Sequence, residues 1–199
     1  MHPRKQFFSG GSQSVRGYGE NQLGPRVLTI DPAYLTDTTL ANPCTVDQLA
    51  DGSCNPNNPG VPSSSFAPQP LGGAAIAEGS IEYRFPIAPK LGLSGTAFID
   101  AAIVGTTRFQ DLLSATGMIT PGFGILFKTP VGPVRLDLGI RPTVVEDLPV
   151  ITQLSAGNGQ YKLVTLTTPR RYDQAEATGG AFSQFVSRLT LHLAIGPAF

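Results

Sequence analysis

Few residues of this chain have the types and spacing of a reactive centre. Its two cysteines, Cys44 and Cys54, and its two histidines, His2 and His192, form no CxxC or HxxxH pair, so no metal site is expected. There is no GxSxG nucleophile turn. Gly122-Phe123-Gly124 begins a GxGxxG phosphate cradle, but Phe127 stands where the third glycine belongs. Glu146-Asp147 reads as a solvated acidic pair, and His192 as one polar residue on a strand face. No catalytic residue and no cofactor are expected. What remains is charge, in the arginines and carboxylates of the chain. A guanidinium presents five donors in a planar fork, which suits pairing with carboxylates away from bulk water. An arginine on a loop is more often simply solvated. The elements that carry these residues decide between the two.

Composition narrows those elements. The 199 residues hold 14 Lys+Arg against 14 Asp+Glu, a formal net charge of zero. That balance excludes electrostatic nucleic-acid binding, which needs a basic surplus. Charged residues are 14% of the chain, against about 25% in an ordinary soluble domain. With 23 Gly and 18 Pro, long helices are disfavoured. No apolar run approaches the roughly 18 residues of a membrane-spanning helix. Two classes remain: a soluble β-sandwich or part of a membrane β-barrel. The opening MHPRKQFFSGG has no apolar core and is not a secretory signal. Any export signal is expected upstream.

From residue 73 onward the pattern alternates with period two. In RLTLHLAIGPAF, Leu189, Leu191, Leu193, Ile195, Pro197 and Phe199 share one face, and Arg188, Thr190 and His192 the other. Residues 73–86, 91–105, 118–128 and 133–141 repeat the design, with Glu82, Asp100 and Asp137 on polar faces. Five strands are therefore expected, the last over 185–199. Residues 1–72 read as one long irregular segment, and 106–117 and 142–183 as long loops, whereas 86–90 and 129–132 are short turns. Short turns at one end and long loops at the other is the layout of an outer-membrane barrel. Within 142–183, LPVITQL and YKLVTL flank Asn158-Gly159, which predicts a hairpin beyond the membrane. A closed membrane barrel needs at least about eight strands. The fold class expected is thus all-β: the C-terminal fragment of a transmembrane antiparallel barrel, with a long loop folding inward.

The segment FFSGGSQSVRGYGENQLGP resembles a motif of the outer-membrane barrel-assembly family, the BamA/TamA-type insertases. Its Val15-Arg16-Gly17-Tyr18 follows Gly10-Gly11 and precedes Leu23-Gly24-Pro25. SIEYRFP, FIDAAIVG and TPVGPVRLDLG resemble the family's following strands in order, and Phe199 its closing residue. The resemblance implies a barrel in the bacterial outer membrane, preceded by periplasmic domains, that inserts and folds other β-barrel proteins without nucleotide or metal. It implies unfolded barrel clients, accessory lipoproteins and outer-membrane lipid as partners, and no nucleic acid. It also implies that Arg16 is held in the lumen by acids at Glu82 and Asp100, with Gly17 allowing the loop to lie against the wall. Some members carry a cysteine pair in this loop. In an oxidising compartment that favours a Cys44–Cys54 disulfide over two separate thiols. The barrel's first and last strands meet at a weak seam. Gly196 and Pro197 are expected to weaken its last strand, and Phe199 to act as a sorting signal at the periplasmic interface. Two other readings share the motif or the fold: a TamA-type or two-partner secretion translocator, and the accessory barrel of a surface enzyme such as a patatin-like lipase.

Overall fold

The computed structural model describes residues 6–105, 117–130, 132–157, 159–173 and 180–196. In chain order the strands are β1 (Arg26–Ile30), β2 (Ala67–Pro70), β3 (Ala75–Ala88), β4 (Leu93–Gly105), β5 (Met118–Thr129) and β6 (Gly132–Ile140). They continue with β7 (Val145–Leu148), β8 (Val150–Gly157), β9 (Gln160–Thr165), β10 (Arg170–Asp173) and β11 (Leu189–Ile195). The helices are short, α1 (Val46–Asp51) and α2 (Ala181–Val186). The chain divides into two compact units.

The first unit comprises residues 1–25, 70–144 and 175–199. Its sheet is the expected transmembrane wall, five antiparallel strands in the order β11-β6-β5-β4-β3. Its burial pattern reverses that of a soluble sheet. Ile81, Ile99, Ile119, Phe123, Leu136, Leu191, Leu193 and Ile195 are exposed on one face, the apolar face a barrel turns to lipid. Thr96, Phe98, Asp100, Thr120 and Asp137 are buried on the other. The sheet is open: β3 and β11 have no further strand neighbour among the described residues. The segment 6–25 folds onto the polar face. Val15, Tyr18 and Leu23 pack there with Ala102, Val104 and Met118.

The second unit comprises residues 26–69 and 145–174. The sequence reads 1–72 as one irregular segment, but 26–69 is built into this unit. β1 pairs parallel with β8 through Leu28↔Val150, Thr29↔Ile151 and Ile30↔Thr152. The expected hairpin is present as β8 and β9, although it is part of a four-stranded sheet, β2-β1-β8-β9. Asn158 itself lies outside the described residues. A further ladder, β7 with β10, adds strand structure where 142–183 reads as loop. A small core forms from Leu28, Ile30, Leu35, Leu49, Val61, Phe66, Val150 and Leu166, with Cys54 among them. α1 is fixed by a reciprocal cap in which the Thr45 hydroxyl accepts from the Gln48 amide and Gln48 Oε1 accepts from the Thr45 amide.

One boundary also differs. A strand is expected over 185–199, yet Phe185 and Val186 are helical, in α2, and the ladder begins at Leu189. The apolar positions of AFSQFV follow helical spacing (Phe182, Phe185, Val186), not period two. Pro197 and Phe199 lie outside the described residues.

Candidate functional site

The site is built on rows of residues that cross the five-stranded sheet. The registers set Ser80 opposite Asp100, and Asp100 opposite Thr120. The next row runs Glu82, Phe98, Gly122, Gly139, Thr190. The row after it runs Arg84, Thr96, Gly124, Asp137, His192. Period two turns all three rows to the same polar face.

Arg16 enters these rows from the folded-in segment. Its Nε and Nη2 donate to the two oxygens of Asp100, each at 2.7 Å, a bidentate fork. The Arg16 backbone N–H donates to the same carboxylate at 3.0 Å. Nη1 donates to Glu82 Oε2 at 2.7 Å and lies 3.6 Å from Asp137. The guanidinium carbon sits 3.3 Å from the centroid of Phe98, a stacked cation–π contact. Ser80 completes the shell: its hydroxyl donates to Asp100 at 2.6 Å and accepts from Arg16 Nη2 at 3.3 Å. Arg16 is 4% exposed and Asp100 is fully buried. Arg135 pairs with both Glu82 and Asp137, and Arg84 donates to Glu82 at 2.6 Å. Three guanidinium groups thus meet three carboxylates, and the cluster is formally neutral.

The backbone approaches as closely as the side chains. A methyl group built at Gly139 would overlap the Arg16 carbonyl, and one at Gly17 would overlap the Thr120 side chain. Only the absence of Cβ at both positions lets the segment lie on the wall. Thr190 of β11 donates its hydroxyl to the Gly17 carbonyl at 2.9 Å, tying the segment to the edge strand. Ser14 anchors the segment at Glu78, at 2.6 Å. A cavity of about 350 Å³ remains beside it, lined by Gln13, Arg84, Arg135, Ala194 and Gly196.

A strand-borne wall, polar inside and apolar outside, with a VRGY segment docked through its arginine, is the arrangement that the sequence motif implies. A family model, the Omp85 superfamily domain, matches residues 1–160. The chain belongs to the Omp85 superfamily. Omp85 proteins reside in outer membranes of bacteria and organelles, where they insert or translocate other proteins and are generally not enzymes.

In this Omp85 chain, Arg16, Glu82 and Asp100 meet in the ion cluster, Gly17 lies against Thr120, and Val15 and Tyr18 pack with Ala102, Val104 and Met118. Cys44 and Cys54 are disulfide-bonded, but in the second unit, where the bridge joins the core. Gly196 follows the last strand with φ +130°, and its amide still donates to the Pro133 carbonyl at 3.0 Å. Sequence reasoning did not assign Ser80, Phe98, Arg135, Asp137, Gly139 or Thr190 to the site. Their polar-face positions were legible, but pairing them needed the register. Gly122 and Gly124, which read as a broken nucleotide motif, have another reason: a Cβ at either would overlap Phe98 or Asp137.

Proposed function

We propose that this chain assembles and inserts β-barrel proteins into the bacterial outer membrane, in the manner of BamA. The observation that carries this reading is the docked segment: Arg16 is held by Asp100 and Glu82 on the polar face, and the Gly17 carbonyl accepts from Thr190 of β11. In this reading the outer edge of β11, whose inner edge is bonded to β6 along Leu189–Ile195, opens as a template for an incoming strand. The edge lies in a wall whose outer face is apolar, so a client strand that pairs there enters lipid with its backbone hydrogen bonds already satisfied. Arg16 binds the folded-in segment to the inner face, and the Thr190–Gly17 bond links that segment to β11. Unfolded barrel clients, accessory lipoproteins and lipid are the partners of this reading.

The test uses the full-length protein in liposomes, with client folding followed by heat-dependent gel mobility. Faster client folding is expected, together with client crosslinks to a photoreactive residue at Leu191 and none to one at Phe123 on β5. Export of a soluble passenger into or out of the vesicles, without client insertion, would assign the barrel to translocation instead.

A further inference from the structure

We propose that α2 is a membrane-surface anchor: its Phe182, Phe185 and Val186 side chains insert at the boundary between lipid headgroups and acyl chains, beside the start of β11. Three observations carry this. Phe182 is 80% exposed, and Phe185 and Val186 are also exposed, so the helix buries none of its apolar side chains against the described residues. The three sit at i, i+3 and i+4, on one helical face, while Ser183, Gln184 and Ser187 supply the polar positions. The helix is also continuous with the lipid-facing wall. Two residues after Ser187, the outward series Leu189, Leu191, Leu193 and Ile195 begins.

An isolated six-residue helix is not stable in water, because nucleation outweighs the few hydrogen bonds gained. Its apolar face needs a cover. An interfacial layer supplies one at the depth where aromatic side chains concentrate. The end of the helix is fixed to the barrel. Arg141 Nη2 donates to the Ser187 carbonyl at 2.9 Å, and the Arg141 amide donates to the Arg188 carbonyl at 2.9 Å. In return, Arg188 Nε donates to the Arg141 carbonyl at 2.8 Å. The anchor therefore holds the first residues of β11 against β6 at the membrane boundary. It does so whether the barrel inserts clients or exports them.

Aromatic-for-aromatic replacements test the proposal without removing the apolar face. Phe182→Trp and Phe185→Trp are made singly in the full-length protein and reconstituted in phosphatidylcholine vesicles, with Gln184→Trp as the polar-face control. Heat-dependent gel mobility verifies each barrel, and the parent's emission is subtracted. Acyl-chain-brominated lipid is expected to quench the 182 and 185 probes at least twofold, and aqueous acrylamide to leave them nearly unchanged. The 184 probe should show the reverse. Equal acrylamide quenching at all three positions would overturn the proposal. So would probes at 182 and 185 that respond to neither quencher, which would mean that protein covers the helix.

Discussion

Arg16 illustrates how a buried charge is made tolerable. Desolvating a guanidinium is costly, and the cost is met only when its donors find partners of good geometry. Here one carboxylate takes two side-chain donors and the backbone amide, a second takes another donor, and a ring covers the planar face. Removing a partner leaves the opposite charge stranded. Asp100→Asn is expected to cost about 3–5 kcal/mol in the limiting buried case, read as a lower unfolding temperature of the barrel and faster protease cleavage within residues 6–25. Arg16→Lys should also fail to restore the lock, since an ammonium offers neither the fork nor the stacking plane. Gly139→Ala is a sharper probe, because it alters no charge. Its methyl would collide with the Arg16 carbonyl, so the segment should lift while the strand ladder survives. Wild-type protease resistance of that segment in Gly139→Ala would refute the close-docking account.

At the scale of elements, the two faces of each strand carry different constraints. On β11, Leu193 is 65% exposed on the lipid face and His192 lies on the polar face opposite Asp137. Leu193→Arg should destabilise the barrel by about 2–4 kcal/mol if the position is near the bilayer midplane, whereas His192→Gln should leave folding nearly unchanged. Parallel denaturant titrations in lipid measure the difference. The disulfide belongs to a different element set. Cys44–Cys54 closes a short loop around α1, worth about 2–3 kcal/mol by loop entropy. Cys44→Ser with Cys54→Ser should raise amide exchange in α1 and β1 while heat-dependent mobility of the barrel stays the same. Equal loss in both units would contradict the separation of their cores.

At the scale of the molecule, an open sheet edge cannot face lipid, so in the full-length barrel the outer edge of β11 is expected to pair with a further strand, and in the proposed function weakly enough to open for a client. The outer amides of β11 should therefore exchange faster than those of β5, which is bonded on both sides within the described residues. Hydrogen exchange of the reconstituted full-length protein measures this, and exchange on β11 as slow as on β5 would show the seam to be as firmly closed as an interior strand pair. The same contrast separates what was legible in the chain from what was not. Strand identity and the facing of side chains were determined locally, because period two is a property of consecutive residues such as Leu189 to Ile195. Arg16 was recognisable from its motif, and Glu82 and Asp100 as its partners from the family resemblance, with period two placing both acids on polar faces. The rest of the lock was decided by register: Asp137 and Gly139 reach the site only because β6 pairs with β5 at one particular offset. The fold of 26–69 was hidden for a related reason. β1 finds its partner at Val150, more than a hundred residues away, and the pairing energy of such distant strands leaves no period in either segment by itself. The sequence alone determined a wall with an apolar outside and a polar inside; tertiary structure decided which side chains meet across it, because contact depends on register and loop path, and neither is a local property of the chain.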